Sequence, residues 1–339
     1  MTDIAGRKVT IAAPAKRILL EMPNHYFALS LLSRDAENIV IGVGGTTNDG
    51  FSETYGSLAD TPRLGWTNTQ TFSIESALAL KPDLLIANLG SQKQSATVEA
   101  AFLKAGVPVI YVDFFVEPIT NIEASIGIIG DAIGEKKRAE EFIDFYRERV
   151  RRVANRLEAA KPDPPALLLI AHRVNEKCCW SWARWGMLKY FDMLHVTNIA
   201  DAALPGFVGQ LGIEYVIGSN PEIVVTGDYS MGPNSLFDNP RTVAHGLTVL
   251  EELANEPGLR DLTATRNRRI HGMDAYLMHS PLNILALEVF AKWIHPKLFA
   301  DLDPQATLDE INDRFLSSPL KGPFWVSLDA GESPSGGRP

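Results

Sequence analysis

The sequence predicts an α/β protein made of two successive α/β lobes separated by one long helix. In each lobe short apolar runs alternate with helical stretches, which is typical of parallel sheets with crossover helices. Between the two series a single helical pattern runs from Glu135 to about Ala160. A motif of fixed spacing also occurs once in each series, as "IESALALKPDLLIA" and as "IEYVIGSNPEIVVT".

The first lobe is predicted at residues 1–134. Its helices are predicted in "HYFALSLLS", "TVEAAFLKAG" and "EASIGIIGDAIG", and its strands in "RILLEM", "NIVIGVGG", "DLLIANLG" and "VPVIYVDF". These strands are almost continuously apolar, as expected when both faces of a parallel sheet are covered.

The long helix is predicted at residues 135–161. Its apolar positions recur every three or four residues, at Ala139, Phe142, Ile143, Tyr146, Val150, Val153 and Leu157. The sequence "KPDPP" ends it, because proline breaks helices and restricts the preceding residue. Basic and acidic residues alternate along its other face, which indicates a solvated surface.

The second lobe is predicted at residues 162–327, from "ALLLIAH" to "PLNILALEVFAKWIHPKLF", and a disordered tail at 328–339. The repeated motif falls at equivalent places in the two lobes, with Glu75 seven residues before Pro82 and Glu214 seven before Pro221. In each copy the glutamate is expected to open a helix, the proline–acid pair to end it, and a buried strand to follow. The helix dipole favours an acid at that position by only a fraction of a kcal/mol.

Composition excludes several classes of protein. A chain of 339 residues with a net charge of −9 and a pI near 5.3 lacks the basic surface of a general nucleic-acid binder. No run reaches the roughly 18 apolar residues that span a bilayer. The N-terminus lacks the pattern of a secretion signal, which leaves open a cytosolic protein or a cleaved signal. The adjacent Cys178 and Cys179 favour a pair of semi-buried thiols over a disulfide, because neighbouring cysteines rarely close one without strain.

Over about residues 1–300 the chain resembles the class III periplasmic substrate-binding proteins of ABC importers, which carry ferric siderophores, haem, cobalamin and related chelates. The resemblance lies in "DIAGRKVTIAAPAKRILL", "SIESALALKPDLLIA", "TNIADAALPGFVGQLGIEYVIGSNPEIVV" and "RRIHGMD" with the helix that follows it. It implies two Rossmann-like lobes with parallel-type sheets, joined by one long rigid α-helix, with a ligand cleft between the lobes. It also implies a periplasmic monomer that docks on a membrane permease dimer through Glu75 and Glu214.

Ligands of open α/β sheets bind outside the carboxyl ends of the strands. The loop "CCWSWARWG" is the most informative, because tryptophans beside a guanidinium suit a flat anionic ligand. The expected ligand-binding residues are His25, Tyr26, Trp66, Arg173, Trp180, Trp182, Arg184, Trp185, Tyr229, Tyr276 and His279. None is assigned as a direct metal ligand, and no resident cofactor is expected.

Several alternatives stay open. The sequence contains no Gly-x-Ser-x-Gly, no phosphate-binding "GxxxxGK[ST]" and no His-Glu-x-x-His, so a binding protein is favoured over an enzyme. The rival enzyme class is a two-lobed transferase of nucleotide sugars, and a third possibility is a cytosolic protein that handles metal chelates. A ferric siderophore ranks first among ligands, with haem and cobalamin open. A small oxyanion such as molybdate ranks second, held by Thr46, Thr47, Asn48, Ser91 and Ser230.

Overall fold

The computed structural model describes residues 1–46, 58, 60–171, 179–183, 186–228 and 242–329. Its chain forms two compact units. Unit 1 comprises Met1–Glu148, His279–Leu282 and Glu310–Pro319. Unit 2 comprises Arg149–Met278, Asn283–Asp309 and Leu320–Pro339. The chain therefore passes from one unit to the other several times and not only through the long helix.

Unit 1 is built on a parallel sheet. Its strands among the described residues are β1 (Ile18–Leu20), β2 (Val40–Val43), β3 (Leu84–Asn88) and β4 (Val109–Val112), in the order β2-β1-β3-β4. Every residue of β1, β3 and β4 is buried, because both faces of the sheet are covered. One face packs against Val98 and Phe102 of the helix that follows β3.

The helices of unit 1 among the described residues are α1 (His25–Leu32), α2 (Ala36–Ile39), α3 (Ile74–Ala79), α4 (Ala96–Lys104) and α5 (Pro118–Ile133). Helices α1, α4 and α5 overlap the predicted helical stretches, and α3 occurs in the repeated motif as expected. Helix α2 was not predicted, and it contains the first two residues of the predicted strand "NIVIGVGG". Proline begins α5, where its missing N–H costs nothing. Gly134 ends α5 with φ +80, a left-handed conformation that favours glycine.

The long predicted helix is confirmed as α6 (Lys136–Ala160), a continuous element of 25 residues. Its buried positions include Ala139, Phe142, Val153 and Leu157, in agreement with the predicted apolar stripe. The division between the units falls within α6, between Glu148 and Arg149.

Unit 2 is built on a mixed sheet. Its strands among the described residues are β5 (Ala166–Ala171), β6 (Trp180–Trp182), β7 (Thr197–Asn198), β8 (Val208–Gln210), β9 (Ile223–Asp228), β10 (Ile270–Asp274) and β11 (Trp325–Ser327). The central strands β5, β9 and β10 are parallel, as predicted, whereas β6, β8 and β11 pair antiparallel at the two sides. The α/β class is thus confirmed.

The helices of unit 2 cover this sheet. They are α7 (Lys189–Met193), α8 (Ala200–Ala203), α9 (Ile213–Ser219), α10 (Val243–Ala254), α11 (Thr263–Arg266), α12 (Ala275–Met278), α13 (Asn283–Ile294) and α14 (Pro304–Phe315), whose last residues belong to unit 1. Leu328, predicted as the first residue of a disordered tail, instead lies in the core and donates its N–H to Ile270 O at 2.9 Å. The rest of that tail, from residue 330, lies outside the described residues.

None of the helices that the structure describes combines the length and the apolar character needed to cross a bilayer.

Candidate functional site

The four strands of unit 1 are parallel, so their carboxyl ends meet at one edge of the sheet. We call this the unit-1 edge, formed by residues 21–26, 44–46, 88–95 and 113–117, which follow β1, β2, β3 and β4. The loop 63–73 joins it, because Gly45 and Gly65 exchange backbone hydrogen bonds at 2.9 and 3.0 Å. Ligand sites of open α/β sheets form at such an edge.

His25 begins α1 at the unit-1 edge and is only 1% exposed. Burial lowers its pKa to about 4, although a backbone hydrogen bond with Ile86 and the charge of Asp113 act in the opposite direction. The imidazole is therefore neutral at pH 7. Among the described residues, neither His25 Nδ1 nor the neighbouring Asn24 Oδ1 has a hydrogen-bond partner, although both atoms are buried.

His279 lies with unit 1, whereas the sequence placed its loop in the second lobe. The side-chain amide of Asn24 donates to the backbone carbonyl of His279, and the His279 ring centre lies 4.2 Å from that of Phe115. The structure therefore brings His25, Tyr26 and His279 to the same edge. All three are buried, at 1%, 5% and 5% exposure.

Trp66 lies on the loop 63–73 and is half-buried. The backbone N–H of Trp66 donates to Thr71 Oγ1 at 2.9 Å, and its backbone carbonyl accepts the N–H groups of Thr71 and Phe72. Gly65 has φ +81, and a Cβ there would lie 2.3 Å from Thr71 O, so the loop closes tightly only with glycine at this position. The indole is presented from a turn held by its own backbone.

Two buried carboxylates of the unit-1 edge escaped the sequence-based prediction. Glu21 directly follows β1 and accepts hydrogen bonds from three hydroxyl groups and one backbone N–H. Asp113 directly follows β4 and accepts the N–H groups of Phe115, Val116 and Glu117. An acid immediately after a buried parallel strand was the available signal.

Trp180 and Trp182 belong to strand β6, which corrects the prediction of a loop over "CCWSWARWG". They point to the same face of the strand and are half-buried, while Ser181 between them is buried and donates to Leu169 O at 2.5 Å. A Cβ on Gly227, near the end of β9, would lie 3.2 Å from the Trp182 ring and 2.9 Å from Met278. The indole of Trp182 thus lies close over a glycine at the carboxyl end of β9.

Tyr276 follows β10 and is 7% exposed. Its N–H donates at 2.8 Å to Asp274, the last residue of β10. Trp182, Gly227, Tyr276 and Met278 therefore form the described part of the carboxyl edge of the unit-2 sheet. The other expected ligand-binding residues, Arg173, Arg184, Trp185 and Tyr229, lie outside the described residues.

The candidates for an oxyanion cage give a mixed result. Thr46 is exposed, whereas Ser91 is buried and donates to Glu21 Oε1 at 2.8 Å. A hydroxyl bound to a carboxylate is a poor donor for a second anion, and the nearby negative charge repels one. Thr47, Asn48 and Ser230 lie outside the described residues.

Cys179 is fully buried and disulfide-bonded, which corrects the expectation of a reduced thiol. Its carbonyl accepts the N–H of Leu211 at 2.9 Å, next to the pairing of β6 with β8. Cys178 lies outside the described residues.

Glu75 and Glu214 occupy the same position in their helices. Each is the second residue of a short helix, α3 or α9, and each side chain is exposed. No hydrogen bond or salt bridge within the described part of the chain involves either carboxylate.

Two further features were considered as ligand sites, clusters of possible metal ligands and a cavity in unit 1. No cluster of three or more histidine, cysteine, aspartate or glutamate side chains among the described residues is placed to hold a metal ion. A cavity of about 410 Å³ is lined by Arg7, Glu99, Leu103 and Pro108 at the amino end of β4, away from the unit-1 edge. Arg7 is already bonded to Asp3 and to Glu99, so its charge is neutralised.

Comparison with known proteins identifies the family to which this chain belongs. A family model described as "Periplasmic binding protein" matches residues 51–277. An uncharacterised ABC transporter substrate-binding lipoprotein, YvrC of Bacillus subtilis, is 23% identical over 304 residues, covering 88% of this chain and 86% of that protein.

Solved structures share the fold. The TroA-like periplasmic binding protein FepB from Veillonella parvula has a TM-score of 0.85 at 26% identity, covering 97% of this chain and 99% of that one. The molybdate-binding protein MolA from Haemophilus influenzae has a TM-score of 0.73 at 17% identity, covering 95% and 98%.

Proposed function

The chain belongs to the periplasmic binding protein family, and on that basis we propose that it is the substrate-binding component of an ABC importer. Its ligand is a ferric siderophore or a similar metal chelate, which it binds outside the cytoplasm and delivers to a membrane permease. The protein works as a monomer and performs no reaction on its ligand.

The chemistry of the two edges supports a chelate. Trp66 on unit 1 and Trp180 and Trp182 on unit 2 are half-buried beside the carboxyl ends of the strands. Such rings provide contact area and stacking for a large ligand with aromatic or delocalised groups. The neutral imidazole of His25 adds no positive charge to the edge.

A small oxyanion is less well supported. The observation that favours a chelate over an oxyanion is the hydrogen bond from Ser91 to the buried carboxylate of Glu21. It occupies a hydroxyl that an oxyanion cage would need. The likeness to MolA, at 17% identity, concerns the fold and not the ligand.

The exposed acids supply the proposed contact with the permease. Glu75 and Glu214 lie on separate units, each at the start of a helix and each facing solvent. Two such charges would steer the protein onto basic pockets of a two-fold permease, with more effect on orientation and association rate than on affinity.

Titration of the protein with a panel of ligands tests the proposal. Tryptophan fluorescence is followed on addition of a ferric tris-catecholate, a ferric hydroxamate, haem, cobalamin and molybdate. We expect saturable binding of one ferric chelate, weakened about tenfold in Trp182→Leu, because the aromatic contact with the ligand is lost. Trp293→Phe is the matched control, since Trp293 is buried and stacks on His271 at 4.5 Å.

The outcomes separate the candidates. Binding of molybdate alone would keep the transport role and overturn the chelate. Failure of every ligand, together with a bound nucleotide or measurable turnover, would favour a two-lobed enzyme over a binding protein.

A further inference from the structure

Glu21 is a buried carboxylate at the centre of the unit-1 edge, with 2% of its surface exposed. Its Oε1 accepts hydrogen bonds from Thr67 Oγ1 at 2.5 Å, from Ser91 Oγ at 2.8 Å and from Ser95 Oγ, and its Oε2 accepts the N–H of Asn88 at 2.6 Å. An ionised carboxylate only accepts hydrogen bonds and offers about four lone-pair positions. The four donors equal this number, with three of them on Oε1 and one on Oε2.

The donors come from distant parts of the chain. They lie 46, 67, 70 and 74 residues from Glu21. Thr67 belongs to the loop that carries Trp66, Asn88 ends β3, Ser91 belongs to the turn after β3, and Ser95 precedes α4. A single side chain thus ties three segments to the end of β1.

Asp113 is a second buried carboxylate at the same edge, and the hydrogen-bond donors named here lie close to it in sequence. Its partners Phe115, Val116, Glu117 and Asn121 lie only 2, 3, 4 and 8 residues away. Asp113 closes the turn that leads into α5, whereas Glu21 joins segments that nothing in the local sequence holds together.

The backbone of Glu21 is itself fixed on both sides. Its N–H donates to Ile86 O of β3 at 2.9 Å. On the other side its carbonyl oxygen would lie 1.9 Å from a Cβ on Gly44, the residue after β2, so the two backbones can approach only because Gly44 has no side chain. The carboxylate is therefore a fixed anchor for the loops.

We propose that Glu21 is the positioning residue of the ligand site on unit 1. Through Thr67 it holds the loop that presents Trp66, and through Asn88 and Ser91 it holds the turn after β3, in the arrangement that receives the ligand. The inference rests on the proposed function, because it assigns the unit-1 edge to ligand binding. At metal sites, loss of a group that orients the ligating residues typically weakens binding about tenfold or more, and we expect an effect of that order here.

Three variants test the proposal. Glu21→Gln keeps the volume but puts an amide NH₂ among groups that all donate. Thr67→Val removes only the bond to the Trp66 loop. Thr307→Val is the matched control, because Thr307 is equally buried, at 5% exposure, and hydrogen-bonds a different buried carboxylate, Glu288, in unit 2.

The first measurement needs no ligand. Amide hydrogen exchange is followed over residues 66–73 and 88–95 of the free protein. We expect exchange about tenfold faster over both segments in Glu21→Gln, and over 66–73 alone in Thr67→Val, since a buried hydrogen bond has been removed. Thr307→Val should leave both segments unchanged. Unchanged exchange in Glu21→Gln would overturn the anchoring role.

The second measurement is affinity for a ferric tris-catecholate or the chelate of the panel that the wild-type protein binds. We expect about tenfold weaker binding in Glu21→Gln, a smaller loss in Thr67→Val and none in Thr307→Val. Faster exchange with unchanged affinity would mean that Glu21 orders loops the ligand does not use, and the positioning role would be wrong. If the wild-type protein binds no chelate, the proposed ligand is wrong, while the exchange data still decide whether Glu21 holds the loops.

Discussion

Helices α3 and α9 carry the same sequence motif, and the fold explains all of that motif except its glutamate. Lys81 and Asn220, immediately before the two prolines, both have positive φ, at 53° and 41°. The acid after each proline then binds the amino end of the neighbouring strand: Asp83 accepts the N–H of Arg17 at 2.9 Å, and Glu222 accepts that of Ala166 at 3.3 Å.

Glu75 and Glu214 have no such structural role in the described chain. They face solvent six residues before Lys81 and Asn220, and no described residue of either unit binds their carboxylates. In both copies the proline and the acid after it belong to the turn between the helix and the buried strand. The exposed glutamate takes no part in that turn and needs another explanation. A docking partner supplies one.

The surroundings of the two glutamates differ. In α3 the exposed neighbours are Ser76 and Ala79. In α9 they include Tyr215, 38% exposed, and Ile217, 51% exposed. The shared charge predicts a shared electrostatic contact, whereas only the unit-2 helix offers apolar area. The partner surfaces for the two helices should differ accordingly.

Reversal of both charges should produce the largest effect. In Glu75→Lys combined with Glu214→Lys, each lysine would face a basic pocket, and like charges in contact cost several kcal/mol. We expect ligand uptake by cells that depend on this protein to fall more than tenfold, with unchanged affinity of the purified protein for its ligand.

Glu158→Lys, a reversal at an exposed position of α6, is the control and should leave uptake unchanged. Wild-type uptake by the double variant would show that the repeated glutamates do not contact the permease.

The comparison also shows how far sequence alone leads. Strand and helix alternation, α6 and the repeated motif were predictable because each depends on residues close together in the chain. Membership of His279 in unit 1 was not predictable, because it belongs to a segment of only four residues, His279–Leu282, that lies between two segments of unit 2. Strand β6 was missed because it is three residues long and pairs antiparallel at a point where tryptophans suggested a loop.

The hydrogen bonds that organise the unit-1 edge could not be predicted from the sequence either. Glu21 lies inside the predicted strand "RILLEM", whereas the observed β1 ends one residue before it, and its partners come from segments up to 74 residues away. No local pattern marks serines and a threonine that converge on one carboxylate. The sequence therefore predicted that His25, Tyr26 and Trp66 follow strands of this sheet, but not that Thr67, Ser91 and Ser95 all bind Glu21.

A smaller effect is expected from the apolar surface of α9. Ile217→Ser removes a side chain that is half exposed in the free protein, and its burial against a partner would contribute roughly 1 kcal/mol. We expect uptake at limiting protein concentration to fall about fivefold. Leu103→Ser is the matched control, because Leu103 of α4 is 54% exposed. Equal uptake in the two variants would mean that the two helices dock through charge alone.

The smallest effect concerns the helix caps, where the two copies differ in mechanism. The hydroxyl of Ser73 accepts the N–H of Ser76 at 3.3 Å and caps α3, whereas Gly212 precedes α9 and has no side chain to do so. Ser73→Ala should lower the free energy of unfolding by about 1 kcal/mol, and Gly212→Ser should raise it by a few tenths, measured by denaturant titration. Neither substitution alters a charge or the apolar surface, so uptake should stay at the wild-type level in both. A loss of uptake in Ser73→Ala would show that the cap holds Glu75 in its docking orientation, and the difference between the helices would then extend from their surfaces to how firmly each presents its acid.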